Sequence, residues 1–176
     1  MYSEKEIIKI LASSIDERKY PYQLPNVFIY GWECDYWAMT TGGETREFEI
    51  KISKSDFKND IKKEKHRVEK GANYFYYVTP SNLVTVEEVN SVDKRYGLIH
   101  INESGSVAIV KKPRKLNNTL FDSWKMLANK MYWKWWSLWR QKYIDKEITR
   151  KEWVAGFVFD LEQEDSSQTL SALGCV

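Results

Sequence analysis

The sequence predicts an α/β protein built on a central mixed β-sheet flanked by helices. Two patterns carry this prediction, because apolar residues recur at helical spacing in some segments and form alternating or short continuous apolar runs in others. A charged helical segment at 54–69 also lies between two predicted strands, an order that favours a parallel β-α-β crossover. At 176 residues the chain is long enough for one compact domain with its own core.

The first predicted helix runs from Ser3 to about Asp16. Its apolar residues recur at helical spacing, and Ser3 with Glu6 has the spacing of a capping box. The segment Pro21–Pro25 ends this helix, and Val27–Met39, rich in aromatic and aliphatic residues, reads as the first strand.

A β-hairpin follows from the next segment. Arg46–Ile52 is predicted to be a second strand after the turn at Thr41–Gly43. We expect it to pair with Val27–Met39. Alternation places Glu47, Glu49 and Lys51 on one face of this strand and its apolar residues on the other. Charged side chains are therefore directed together from one face of the hairpin.

The remaining elements of the predicted core follow in order. A helix from about Lys54 to Glu69 ends at Gly71, and a buried strand at Asn73–Val78 completes the crossover. The last predicted elements are a short helical turn and two strands joined at Asn102–Gly105, namely Val84–Val89, Tyr96–Ile101 and Val107–Lys111.

The C-terminal part of the chain differs in composition. Leu116–Tyr143 has a helical pattern dense in tryptophan, which indicates packing in a core or oligomer interface, or stacking on bases. A further short element is expected around Trp153–Leu161. We therefore predict a core at 1–115, a helical extension packed on it at 116–162, and a flexible tail at 163–176.

Composition narrows the function classes. The formal charge of +2 is mild, but Lys51–Lys70 is strongly basic and KKPRK lies at 111–115; such runs either face a phosphate backbone or form a solvated surface. Cys34 and Cys175 predict neither a disulfide framework nor a thiolate metal site. No apolar stretch could span a bilayer, and Glu4 and Glu6 interrupt any secretory signal, so a cytoplasmic protein without a membrane role is expected.

Three residues of the hairpin suit divalent-metal chemistry. Asp35 lies in the first strand, and Glu49 and Lys51 form an E-x-K pair in the second. A hard cation such as Mg²⁺ or Mn²⁺ prefers oxygen ligands, which Asp35, Glu49 and the backbone carbonyl of Ile50 can supply. Lys51 lies on the same side of the strand, where its charge can assist an attacking water or stabilise a phosphate.

The motif extends beyond E-x-K. Glu49–Ile50–Lys51–Ile52–Ser53 is followed by Asp56–Phe57, Asp60 and Lys63. This pattern, within the order helix, hairpin, helix and strand, resembles the PD-(D/E)XK nuclease superfamily, and most closely its MmcB-like DNA-repair proteins. The resemblance continues through YFYYVTPSNLV, RYGLIHI and VKKPRKL, and covers about residues 26–140. One departure is that Cys34, not proline, precedes Asp35.

The resemblance implies a restriction-endonuclease-like core and a metal-dependent nuclease that cuts DNA. Asp35 and Glu49 would hold the cation, and Lys51 would assist hydrolysis by in-line attack of water. A homodimer is possible, since many members of the superfamily cut as dimers. The sequence contains no glycine-rich phosphate-binding loop with its lysine, so no nucleotide cofactor is expected. The alternative is a non-catalytic DNA-binding or protein-interaction module with the same fold.

Several further residues are candidates around this centre. Glu33 shares the face of Asp35 and would bind a second metal or form a salt bridge. Glu6 resembles the helical glutamate that completes the metal site in some branches of the superfamily, with Glu4 and Asp16 as competitors. The family motif and the adjacent basic helix suggest supporting or DNA-contact roles for Ser53, Lys54, Asp56, Lys58, Asp60, Lys63 and His66.

Overall fold

The structure is a computed structural model that describes residues 2–63 and 71–143. Its elements in chain order are α1 (Glu4–Ser14), β1 (Tyr22–Ile29), β2 (Trp32–Met39), β3 (Thr45–Ile50), α2 (Lys54–Asp60), β4 (Tyr74–Pro80), α3 (Val86–Val92), β5 (Gly97–Ile101), β6 (Val107–Lys111) and α4 (Trp124–Tyr143). The strands form one sheet in the order β1-β2-β3-β4-β5-β6. The predicted α/β class is confirmed.

The sheet is mixed. Strands β1, β2 and β3 are antiparallel neighbours, β3, β4 and β5 are parallel, and β6 returns antiparallel to β5. The predicted crossover from β3 through α2 to β4 is therefore confirmed. Because parallel strands end at the same edge of a sheet, the carboxyl ends of β3, β4 and β5 lie together, beside the beginning of β2.

Helices cover both faces of the sheet. On one face, Ile7 and Leu11 of α1 pack in a cluster with Phe48 and Ile50 of β3. On the other face a second cluster contains Phe57 of α2 and Val89 of α3, with Phe75, Tyr77, Tyr96 and Leu98 from the sheet. The period of two along β3 accounts for this division, since its even-numbered residues face α1 and its odd-numbered residues face α2.

The strand predicted at Val27–Met39 was wrong in its extent, because the structure has two strands there. β1 and β2 form a hairpin around Tyr30 and Gly31, whose φ angles are 59° and 90°. Two positive φ values match the tight turn that suits paired strands. Pro25 lies within β1, which is tolerated because β1 is an edge strand.

The helix predicted at 54–69 is shorter than expected in its described part. α2 ends at Asp60, and Lys63 N–H donates to the Asp60 carbonyl at 2.9 Å, a tight turn that replaces the helical ladder. Lys58 and Lys62, one helical turn apart, would repel each other in a continued helix. Residues 64–70 lie outside the described ranges.

The first compact unit of the chain ends at Trp124. The segment 112–123, here called the strap, is irregular, so the helix predicted from Leu116 begins only at Trp124. Backbone hydrogen bonds hold the strap against the sheet, from Leu116 N–H to the Asn73 carbonyl at 2.8 Å and from Phe121 N–H to the Gly43 carbonyl at 2.9 Å. These bonds compete with the helix that the sequence pattern favours.

The second unit, from Lys125, is described only as far as Tyr143. Within α4, Trp136 stacks on Tyr132 and on Trp139, with ring centroids 6.5 and 5.2 Å apart. None of the described helices is long and apolar enough to cross a membrane. The predicted element at 153–161, the tail at 163–176, Cys175 and His66 lie outside the described residues.

Candidate active site

The predicted centre lies at the edge of the sheet where β3 ends and β2 begins. Tyr36 pairs with Phe48, so Asp35 and Glu49 are the next residues along their neighbouring strands. Asp35 is half-buried, and its Oδ2 accepts a hydrogen bond from Ile50 N–H at 2.7 Å. The strand pairing thus brings together Asp35, Glu49 and the backbone of Ile50, as the sequence predicted.

Lys51 is buried among carboxylates. Its Nζ donates to Glu49 Oε1 at 2.8 Å and lies 3.5 Å from Asp60 Oδ1 and 3.7 Å from Asp56 Oδ1. Only 4% of Lys51 and 2% of Glu49 are exposed. A lysine in this position neutralises charge that would otherwise destabilise the folded chain.

Asp60 connects this centre to the core of the protein. It is fully buried, and its Oδ2 accepts a hydrogen bond from Tyr77 Oη at 3.0 Å, while Lys63 Nζ lies 2.9 Å from Oδ1. Sequence reasoning gave Asp60 a supporting role but missed Tyr77. The available signal was the presence of three tyrosines in the strand at Asn73–Val78, since a buried Tyr usually finds a hydrogen-bond partner.

The surroundings of Asp35 and Lys51 strongly shift the pKa values of both side chains. Burial and repulsion from Glu49 raise the pKa of Asp35 to about 7, although the Ile50 N–H bond and Lys51 oppose the rise and Glu4 adds to it. Burial lowers the pKa of Lys51, but the charges of Glu49 and Asp60 outweigh this effect, and the net pKa is raised. Lys51 therefore remains a cation at neutral pH.

The two glutamates of α1 that the sequence proposed for this centre, Glu6 and its competitor Glu4, have different surroundings. Glu6 accepts hydrogen bonds from Ser3 N–H and Ser3 Oγ, both at 2.8 Å, in the predicted capping box. These bonds lower the pKa of Glu6. Glu4, which the sequence left as a competitor, acts electrostatically on Asp35. Asp16 lies beyond the other end of α1 and accepts from Arg18 N–H.

The supporting residues divide into two groups. Ser53 caps α2 by accepting from Asp56 N–H at 3.1 Å, and Lys54 joins α2 to α3 through Glu88 Oε2 at 2.5 Å. These contacts are structural. Lys58 and Lys63 remain exposed beside Asp60, and Glu33 is exposed on the face of Asp35.

Glu47 is a buried carboxylate that received no role from the sequence beyond its place on the face of Glu49. It is fully buried, and its Oε1 accepts a hydrogen bond from Trp32 Nε1 at 2.9 Å. A buried carboxylate requires hydrogen-bond donors, and the Trp32 indole N–H supplies one to Glu47. This hydrogen bond gives Glu47 a structural role.

The residues present fit a single hard cation held by two carboxylates. Burial first and repulsion from Glu49 second raise the pKa of Asp35, and a bound cation would relieve this repulsion. Within residues 2–63 and 71–143, no group of three or more His, Cys, Asp or Glu side chains is arranged to hold a metal. Further ligands would therefore be backbone carbonyl, water or substrate oxygens, a mixture that Mg²⁺ accepts.

A cleft with a mixed polar and apolar lining opens at the ends of β4 and β5. It has a volume of about 980 Å³ and extends across the ends of β4 and β5, with Pro80, Asn82 and Asn102 among its lining residues. Glu6 and Tyr2 form part of its wall from the α1 side. Asp35, Glu49 and Lys51 are not among the residues that line this cleft.

Fold and site together define an α/β protein with a mixed sheet and a buried lysine–carboxylate centre at one sheet edge. No protein-family model and no curated protein matches the sequence. Among solved structures, the chain is similar to the SPO1766 protein of unknown function from Silicibacter pomeroyi, with a TM-score of 0.60 and 12% identity over 85% of this chain and 97% of that one. At this identity the similarity shows the fold alone.

Proposed function

We propose that the protein is a metal-dependent nuclease that hydrolyses DNA phosphodiester bonds, with a restriction-endonuclease-like core. The observation that carries the proposal is the meeting of Asp35, Glu49 and Lys51 at one sheet edge, with Lys51 Nζ 2.8 Å from Glu49 Oε1. The order helix, hairpin, helix and parallel strand supports the same assignment.

Each residue has a distinct role in the proposed reaction. Asp35 and Glu49 would hold Mg²⁺ or Mn²⁺ together with the Ile50 carbonyl. When bound, the cation would neutralise charge on the phosphate and favour formation of a hydroxide nucleophile. Lys51 remains protonated and would stabilise the negative charge that develops on the phosphate in the transition state.

Exposed lysines beside the centre suit a nucleic-acid backbone. Lys58, Lys62 and Lys63 are exposed at the end of α2, next to Asp60. Each such contact releases counterions from DNA, so binding should weaken steeply as salt rises. DNA would then reach the carboxylate centre from the α2 side.

The test is cleavage of labelled supercoiled, linear, branched and single-stranded DNA in Mg²⁺, Mn²⁺ or EDTA. Asp35→Asn is the sharpest variant, because it removes a ligand charge while preserving side-chain size. We expect it to reduce metal-dependent cleavage by at least about 100-fold, and the exposed Lys94→Met control to cleave like the parent.

Two outcomes would contradict the proposal. One is a folded Asp35→Asn protein, by circular dichroism, that cuts as fast as the parent. The other is a parent that binds DNA but cuts no substrate with either metal, and whose melting temperature does not rise with Mg²⁺ or Mn²⁺ in an Asp35-dependent way. This second result would favour the non-catalytic binding module.

A further inference from the structure

A second cavity lies on the α1 face of the sheet, between the end of α1 and strands β3 to β6. Its volume is about 180 Å³. Its walls are mainly apolar, formed by Leu11, Ile15, Phe48, Ile99, Val107 and Ile109 among others. An engineered apolar cavity of about 150 Å³ can hold benzene, so this space suits a body of one six-membered ring.

Arg46 and Tyr20 bring polar groups into this apolar cavity. The Arg46 guanidinium lies between two rings, 4.4 Å from the Tyr20 centroid and 4.9 Å from that of Tyr74. Its Nη2 forms an ion pair with Glu44 Oε1 at 3.7 Å, a separation too long for a direct hydrogen bond. Arg46 Nε and Tyr20 Oη are both buried, and neither has a hydrogen-bond partner in the described part of the chain.

The two groups select for an anion. Burial lowers the pKa of Arg46, but an arginine remains charged in proteins. A buried donor without an acceptor is costly, and a charged donor more so. The Arg46 N–H and the Tyr20 hydroxyl are two donors on neighbouring side chains, and one carboxylate has two oxygens that can accept from them.

We infer that this cavity binds a small aromatic or branched aliphatic carboxylate, whose acid group meets Arg46 and Tyr20 and whose apolar body fills the space beneath α1. A single water could bridge the donors but would leave the apolar walls without contacts. The exposed Asp16 also lines the cavity, and repulsion between carboxylates favours a ligand whose acid group lies away from Asp16 and close to Arg46. This site is independent of the proposed nuclease centre.

The test uses benzoate as the probe, with acetate and benzyl alcohol as matched molecules that keep only the charge or only the ring. We expect benzoate to raise the melting temperature with a saturable concentration dependence. Acetate and benzyl alcohol should bind at least about tenfold more weakly, because each lacks half of the contacts. Calorimetric titration would measure the dissociation constants directly.

Variants assign the binding to the cavity. Tyr20→Phe and Arg46→Lys should each weaken benzoate binding by about tenfold, the second because lysine lacks the planar donor set of arginine. Arg114→Met on the strap is the control and should bind like the parent. Arg46→Lys retains a charge, so it is expected to fold even if Arg46→Met does not. Absence of benzoate binding, equal binding of benzyl alcohol, or unchanged affinity in both variants would each overturn the inference.

Discussion

The position of Lys51 shows how this fold tolerates a concentration of buried acids. Glu49 and Asp60 are almost completely buried, and Lys51 Nζ lies within 3.5 Å of an oxygen of each. Burial alone would favour a neutral amine, but the two carboxylates reverse this and raise the pKa of Lys51. The lysine is therefore a structural counter-charge as well as the proposed catalytic group.

Replacing Lys51 by methionine should destabilise the protein by about 3–5 kcal/mol, because two buried carboxylates lose a neighbouring cation. Urea unfolding at neutral pH measures this change. Lys94→Met, at an exposed position, should change the free energy of unfolding by no more than about 0.5 kcal/mol. Adding Asp60→Asn to Lys51→Met should recover at least about 1 kcal/mol; strictly additive effects of the two changes would show that the charges are not coupled.

The raised pKa of Asp35 predicts an unusual dependence of the free energy of unfolding on pH. An unfolded Asp has a pKa of about 3.9, whereas that of folded Asp35 is about 7. Between these values the folded state keeps a proton that the unfolded state has lost. Stability should therefore fall as pH rises through this window, by up to about 1.4 kcal/mol per pH unit, and level off above it.

Asp35→Asn should remove this contribution. In EDTA, the variant should gain stability over the parent progressively from about pH 4 to pH 7 and keep a constant advantage above that. Urea unfolding at several pH values measures the difference, with the exposed Asp122→Asn as control. A parent-to-variant difference that is flat across this range would mean that Asp35 titrates normally in the folded state.

At the scale of single residues, the sequence was sufficient to predict the face on which a side chain lies wherever that face depends on strand alternation alone. Alternation along β3 placed Glu49 and Lys51 on one face, and strand pairing then brought Asp35 beside them. Tyr77 could not be assigned in this way. Its hydrogen bond to Asp60 depends on how α2 lies across β4, a tertiary arrangement that no local pattern encodes.

Among the elements, the hairpin of β1 and β2 shows why one strand was predicted where two exist. Positive φ angles at both central turn positions usually indicate Asn, Asp or Gly, but here Tyr30 occupies the first. The Trp37 Nε1–H bond to Tyr30 Oη, at 3.0 Å, holds the side chain in place. A tertiary contact thus stabilises a turn whose sequence does not indicate one.

The strap was also missed, because one buried side-chain amide makes several of the hydrogen bonds that hold it. Asn73 Oδ1 accepts from Thr45 N–H at 2.7 Å, and its Nδ2 donates to the carbonyls of Asn117 at 3.1 Å and Thr119 at 2.8 Å. A single side chain therefore connects β3, the start of β4 and the strap. Sequence periodicity at 116–123 carries no information about such a partner.

Replacing Asn73 by alanine should destabilise the protein by about 3 kcal/mol or more, since several buried backbone groups lose their partner at once. The exposed Asn59→Ala is the matched control and should cost at most about 0.5 kcal/mol. Urea unfolding measures both. Proteolysis of the strap should also become faster in Asn73→Ala; equal stability and equal cleavage of the two variants would show that the strap is held by other contacts.

At the scale of the whole molecule, all six strands of the sheet belong to the unit that ends at Trp124. The two core clusters described above, including the residues packed around them, lie between Tyr2 and Leu116. The strap then closes this unit with hydrogen bonds to Asn73 and Gly43. The proposed nuclease centre and the cavity beneath α1 both belong to the same unit.

A chain that ends after Trp124 should therefore fold without α4. We expect one cooperative urea transition and a dispersed amide NMR spectrum, because the fragment keeps the complete sheet and its three covering helices. A chain that ends after Tyr143 is the matched comparison. If only the longer chain unfolds cooperatively, α4 supplies free energy that the sheet needs to remain folded. If both do, with similar midpoints, the tryptophan-rich segment is free to serve another purpose.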